Sequence, residues 1–292
     1  MSARVRLGLA YDGTNFSGWA IQPGLRTVQG VLEAALETLF QRLGPAPKLT
    51  VAGRTDAGVH ALGQVAHLDL TPEQLQLVLA SERADRAASN PAMALRRRMS
   101  GLLGANADVA VTSAEFVSDD FDARFSAEWR RYQYRIADQL STPNPLRRFD
   151  TSAVPTTLDV AAMQAAADTV LGLHDFATFC KARPEATTIR TLQAFNWHRD
   201  DTGVLIATIQ ADAFCHSMVR ALVGGCVAVG QARFTAEHLA ELRAAARRTG
   251  EFVVMPANGL TLVAVGYPPL QEWAERANRI RAKRTMESPQ NE

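Results

Sequence analysis

The sequence predicts an α+β fold made of two related halves. Strand–helix–strand order occurs twice along the chain, and Gly or Pro breaks separate stretches of period 2 from stretches of period 3.6. Its 292 residues suffice for one large domain or two small ones, and 47% hydrophobic with 21% charged residues is a globular composition. Boundaries are expected at 1–112 for the first half, 113–269 for the second and 270–292 for a basic, partly disordered tail.

Residues 4–11 alternate, with Val5, Leu7, Leu9 and Tyr11 on one face, and predict a strand. Thr27 is a suitable N-cap for a helix with Val28, Val31, Leu32, Ala35, Leu36, Leu39 and Phe40 apolar, and Gly44-Pro45 stops it. Strands follow at 49–52 and 64–70. The charged, Ala-rich stretch 82–91 reads as an exposed insertion, followed by a helix near 95–103 and a strand at 108–112. In the second half, 131–137 alternates as a strand, and Thr157 can cap a helix closed by Gly172. Strands are expected at 191–197 and 204–211, a helix over 215–230, another from Thr235 to before Gly250, and a last strand over 260–267.

The chemistry concentrates in Ala52-Gly53-Arg54-Thr55-Asp56-Ala57-Gly58-Val59-His60-Ala61. Two glycines frame a shaped loop between strands. Residues i and i+2 of an extended segment point the same way, so Arg54 and Asp56 can face one ligand. Such a carboxylate can be a nucleophile, a general base, a metal ligand or a turn former. His60, His67 and Asp69 follow no strong zinc spacing, and no phosphate loop or dinucleotide fingerprint is present.

This string closely resembles the signature of the tRNA pseudouridine synthase A family. In the same order come Tyr11-Asp12-Gly13-Thr14, Phe16-Ser17-Gly18-Trp19, Arg26-Thr27-Val28-Gln29-Gly30, Phe121-Asp122-Ala123-Arg124-Phe125-Ser126-Ala127 and Arg131-Tyr132-Gln133-Tyr134. His174-Asp175-Phe176, Met218-Val219-Arg220 and Gly259-Leu260-Thr261-Leu262 complete the series, so the resemblance runs from residue 5 to 268. It implies two halves whose antiparallel sheets join, flanked by helices, with an active-site cleft between them. It implies isomerisation of uridine to pseudouridine at positions 38–40 of the tRNA anticodon stem-loop, by a homodimer that binds tRNA across both subunits.

That reaction breaks the N1–C1′ bond of uridine and rejoins the turned uracil through C5. Nothing is oxidised or added, so no cofactor and no metal is expected. A carboxylate can attack or stabilise the electron-poor C1′, as in glycosidases. Asp56 matches the family nucleophile and Arg220 the arginine that pairs with it. Arg54 matches a residue that holds the extruded nucleotide. Tyr132 matches the pocket tyrosine and Leu260 the apolar residue beneath the base. Flipping the base out and retaining it once detached call for such stacking and apolar closure. The chain departs from the family pattern at Ala20, Cys215, Ser217 and 256–258, outside the implied catalytic set. The rival readings are a non-catalytic RNA-binding or RNA-folding protein and a carboxylate-dependent nucleoside hydrolase.

Net charge is +1, which does not by itself advertise nucleic acid. The clusters Arg96-Arg97-Arg98, Arg130-Arg131, Arg147-Arg148, Arg247-Arg248 and the run 276–284 offer local phosphate contacts, which arginine makes bidentately. Cys180, Cys215 and Cys226 lack metal spacing and argue against a disulfide framework. With no signal-peptide core and no membrane-length apolar run, a cytoplasmic protein without membrane contact is expected.

Overall fold

A computed structural model describes residues 2–80, 91–181 and 187–286, with side chains described to residue 279. In chain order the elements are β1 (Ala3–Tyr11), α1 (Val28–Phe40), β2 (Thr50–Val51), β3 (His60–Leu70), α2 (Pro72–Ala80), α3 (Met93–Leu103) and β4 (Val109–Val117). Then follow β5 (Trp129–Ala137), β6 (Ser152–Ala153), α4 (Val160–Asp168), β7 (Gly172–Asp175), β8 (Ile189–Arg199) and β9 (Leu205–Ala211). The chain continues with α5 (Met218–Gly230), α6 (Ala236–Ala244), β10 (Leu260–Gly266) and α7 (Trp273–Met286). The fold is α+β, as the alternating periodicities require. No helix among the described residues is long and apolar enough to cross a membrane.

The chain divides into two compact units, one of residues 1–127 with 265–292, the other of residues 128–264. The boundary expected at 112 falls inside β4, which pairs along its length with β1, so the first unit extends beyond it. Residues 265–286, expected in the second half or in the tail, group with the first unit.

In the first unit, β1 lies between β4 and β3, antiparallel to both, and β2 adds to β3. Val5, Leu7, Leu9 and Tyr11 are buried, as are Leu32, Leu36 and Phe40 of α1 and Leu95 and Met99 of α3. Thr27 caps α1 as expected, its side chain accepting from Gly30 N–H at 3.2 Å. A second cluster joins Ala52, Val65, Phe121, Ala123 and Trp273. Arg4 ties the segment after β4 to the sheet, donating to both Asp69 oxygens at 2.7 Å and to the Asp119 and Phe121 carbonyls.

The tail is therefore corrected in its first turns. Trp273 packs edge-on to Phe121 at 4.9 Å and its indole N–H donates to the Pro268 carbonyl. Ala277 is buried and Arg276 donates to the Ala127 carbonyl. An indole just ahead of a basic run is an anchor that charge counting overlooks. The expected insertion over 82–91, except Pro91, and the part of the tail beyond 286 lie outside the described residues.

In the second unit the strands run β10-β5-β9-β8-β7, antiparallel at β5/β9, β9/β8 and β8/β7, with β6 parallel to β5. Helix α5 is buried almost all round. It starts at Met218 rather than 215, because Ser217 has φ 66°, which a right-handed helix cannot continue. Asp159, not Thr157, caps α4, accepting from Ala162 N–H at 3.0 Å, while the Thr157 hydroxyl donates to Gln139. Helix α4 ends at Asp168, and Gly172 opens β7. The cysteine reading is corrected at one pair: Cys180 and Cys215 form a disulfide, and Cys226 is free and buried.

The Asp138 carboxylate locks the end of β5 to β8. Arg199 donates to both its oxygens, at 2.9 and 2.6 Å, and the Leu158 and Leu140 amides donate as well. Burial alone would push this carboxyl up, but the guanidinium and the two amides outweigh it and hold it at about 2. Its folded value is depressed, so the stabilisation is present above the unfolded value and lost as pH falls through the folded one. Asp138→Asn is expected to lower the unfolding free energy by about 2 kcal/mol near neutral pH. The difference from wild type, measured by urea unfolding, is expected to shrink between pH ~4 and ~2.

Candidate active site

The Asp56 loop leaves β2 and returns into β3. Its burial alternates: Arg54 is exposed, Thr55 is buried and Asp56 is half-buried. Thr55 is thus the inward residue of the three, and the carboxylate beside it is only partly covered. The Val59 amide donates to the Asp56 carbonyl at 3.2 Å and closes the turn around Ala57-Gly58. A second segment backs the loop: the Trp19 amide donates to the Thr55 carbonyl at 3.1 Å and the Gly58 amide to the Phe16 carbonyl at 3.2 Å. Gly18 makes that approach feasible. Its φ is +91°, and a Cβ there would lie 2.9 Å from the Thr55 carbonyl oxygen.

Beneath the loop lies a hydrogen-bonded side-chain cluster. Tyr11 Oη and Thr55 Oγ1 are 2.8 Å apart. The Gln64 amide nitrogen donates to Tyr11 Oη at 3.1 Å and to the Gly53 carbonyl at 2.9 Å. All three side chains are buried, Gln64 completely. Burial pushes the Tyr11 phenol up to about 12, against the opposing hydrogen bonds of Thr55 and Gln64, so it stays protonated. The β1–β3 register shifts between Leu9, opposite Gln64, and Tyr11, opposite Ala61, beside the point where the loop enters the sheet.

The second unit holds Tyr132, Arg220 and Leu260. Tyr132, on β5, is mostly buried and meets Phe214 edge-on at 5.1 Å and 89°. Arg220 sits in the first turn of α5, its Nε–H donating to the Met255 carbonyl at 2.6 Å, while the Met255 amide donates to the Arg220 carbonyl at 3.1 Å. The strand of chain around Met255 can lie this close to α5 because Gly224 has no side chain; a Cβ there would lie 1.9 Å from the Val253 carbonyl oxygen. Tyr134 follows on β5. Its hydroxyl donates to the Pro256 carbonyl and lies 2.8 Å from Ser152 Oγ. Burial pushes this phenol to about 12 as well, opposed by the Ser152 hydrogen bond and the Arg220 charge. Leu260 is buried at the start of β10, next to Gly259, whose carbonyl accepts from the Arg135 amide. The stretch from Met255 to Leu260 thus links Arg220, Tyr134 and Leu260 within one unit.

The other polar candidates have structural employment. His60 Nδ1 accepts from the Gly13 amide, His67 Nδ1 accepts from the Ala123 amide, and Asp69 pairs with Arg4. Asp12 accepts from the Thr14 amide and hydroxyl, a local turn. Among the basic clusters, Arg96, Arg98 and Arg130 donate to the carbonyls of Val111, Leu77 and Asp212. The sequence places Tyr11 on the apolar face of β1 and Thr55 in the motif loop, but gives neither of them, nor Gln64, Phe214 or Met255, a role of its own at the site. The available signal was Gln64, a polar residue within a strand that is otherwise largely apolar.

The sequence profile described as tRNA pseudouridine synthase matches residues 9–97 and 166–268. The chain belongs to the tRNA pseudouridine synthase family. Asp56 and Arg54 lie in the first matched stretch and Arg220 and Leu260 in the second, with Tyr132 between them. The tRNA pseudouridine synthase A of Leifsonia xyli subsp. xyli is 56% identical over 288 residues, covering 98% of this chain and 99% of the relative. Those of Frankia casuarinae and Cutibacterium acnes are 50% and 48% identical, covering 98% and 97% of this chain and 97% and 95% of theirs. As a family member, the protein is an isomerase acting on uridine in tRNA.

The tight seat of the loop makes a stability prediction. Gly18→Ala must both hold a left-handed φ and displace the Thr55 carbonyl. It is expected to lower the unfolding free energy by about 1–3 kcal/mol, measured by denaturant titration.

Proposed function

We propose that this protein converts uridine to pseudouridine at positions 38–40 of the tRNA anticodon stem-loop, in the cytoplasm and as a homodimer, with Asp56 as the nucleophile. The observation that supports this best is the posture of Asp56. It is a half-buried carboxylate on a loop pinned from below at Thr55, inside the stretch that matches the family.

The chemistry assigns each side chain a task. The Asp56 carboxylate attacks C1′, or stabilises it as the N1–C1′ bond breaks and the electron pair leaves with uracil. Arg220 supplies the positive charge that favours the ionised carboxylate. Tyr132 stacks on the detached base, and Leu260 closes the apolar floor that keeps it from escaping before C5 bonds to C1′. As C5 bonds to C1′, any Asp56–C1′ bond breaks and frees the carboxylate; the C5 proton is lost to solvent and N1 takes one up, so the product is an isomer of the substrate. Arg54, exposed on the same loop, holds the extruded nucleotide by its phosphate. No step requires a cofactor.

Asp56→Asn is expected to abolish turnover, because an amide is a poor nucleophile, while tRNA affinity stays within about tenfold, or ~1.4 kcal/mol. Pseudouridine formation by a clean Asn variant would remove the assignment. For Arg220→Leu the expected result is a larger loss in kcat than in tRNA affinity, with Arg220→Lys recovering only part because it lacks the planar fork. Wild-type kcat in the Leu variant would contradict the role given to this guanidinium. Single-turnover kinetics and filter binding on the same preparations read both quantities.

A further inference from the structure

We propose that Tyr11, Thr55 and Gln64 form a positioning relay that fixes where Asp56 stands, so that these residues set the rate of the chemical step without touching the substrate. This rests on the reading of Asp56 as the nucleophile.

Gly53, Thr55 and Asp56 lie within one short loop, and the cluster grips it at two points. Gln64 holds the Gly53 carbonyl, and through Tyr11 it holds the Thr55 hydroxyl. Both grips converge on one amide nitrogen, whose two hydrogens are thereby used. The Trp19 amide holds the Thr55 carbonyl as a third point. Thr55 is thus fixed through its side chain and its backbone, and its neighbour Asp56 inherits that placement. On the C-terminal side the Val59 amide donates to the Asp56 carbonyl.

The chemical types suit a rigid support. Each member is a neutral hydrogen-bonding group enclosed by protein, where every bond is stronger than in water and a missing partner is costly. The Tyr11 ring is also fixed, tilted against Trp19 with centroids 6.2 Å apart. With the phenol held at about 12, the relay keeps its proton throughout the range in which a carboxylate nucleophile is ionised. A nucleophile displaced by about 1 Å loses on the order of 100-fold in rate, whereas a broad RNA contact surface hardly registers such a shift.

The test uses the full-length protein and an unmodified tRNA transcript. Tyr11→Phe keeps the ring and removes the hydroxyl. Thr55→Val keeps the shape and removes the hydroxyl, and Thr55→Ser keeps the hydroxyl. Tyr11→Phe and Thr55→Val are expected to lower single-turnover kcat by about 10–100-fold with KM for tRNA within about twofold. Thr55→Ser is expected to recover most of the loss. Thermal unfolding and tRNA binding of each variant establish that the folded fraction is unchanged at the assay temperature. If Tyr11→Phe does not fold, the Val–Ser pair at Thr55 carries the test alone. Wild-type kcat in the hydroxyl-less variants, a rise in KM equal to the fall in kcat/KM, or equal losses in Thr55→Val and Thr55→Ser would each overturn the relay. An active Asp56→Asn would instead overturn the nucleophile assignment, so an inactive Asp56→Asn beside fully active Tyr11→Phe and Thr55→Val would sink the relay alone.

Discussion

The inward turn of Thr55 is the constraint from which the site follows. A two-residue strand, β2, delivers the chain into the loop, and β3 takes it away, but neither fixes the residues between. Hydrogen bonds to groups rooted in β1, in β3 and in the segment before α1 hold them. With Thr55 buried, Asp56 is left half-buried and Arg54 exposed. A loop held only by its ends would spread the carboxylate over many positions; one pinned at Gly53, Thr55 and the Thr55 carbonyl presents it in one place. The same demand explains the glycines and aromatics before α1. Gly18 admits the Thr55 carbonyl, and Trp19 brings both an amide for that carbonyl and a ring against Tyr11.

The second unit solves a similar problem with different parts. Arg220 belongs to a helix so apolar that it is buried on nearly every side, and its guanidinium must leave that core in a fixed direction. The reciprocal bonds with Met255 give it that direction, and Gly224 leaves room for the chain that carries them. Tyr134, bound to Pro256 and Ser152, secures the same stretch from the strand side. Leu260 follows directly, so the charge and the apolar floor assigned to the uracil are set by one short run of chain. Phe214, just before α5, meets Tyr132 from its edge.

Much of this was legible in the sequence because it depends on local signals. Alternation gave β1 and β5, Thr27 and Thr235 marked true helix starts, and the Gly-framed string marked the loop between β2 and β3. The failures share a cause, which is that tertiary bonds decided between locally equal options. Thr157 and Asp159 are both good caps, and Asp159 took the role because Thr157 bonds to Gln139. The helix expected from 215 waited for Met218 because Ser217 adopts a left-handed backbone. The tail read as a basic, partly disordered extension because its charges outnumber Trp273, yet that one indole is packed on Phe121, far away in sequence. Tyr11 and Gln64 read as ordinary strand residues, since nothing local says that their polar ends meet Thr55. Two cysteines 35 residues apart gave no spacing signal for their bond.

The central claim is that this loop presents a carboxylate to uridine in the tRNA anticodon stem-loop. The most direct measurement is to incubate the purified protein with an unmodified tRNA transcript bearing uridine at positions 38–40, without added cofactor. The product is then mapped by mass spectrometry after carbodiimide tagging, which distinguishes isomers of equal mass. The account predicts tagged pseudouridine at those positions and no free uracil. Release of uracil, or pseudouridine confined to other positions, would contradict it.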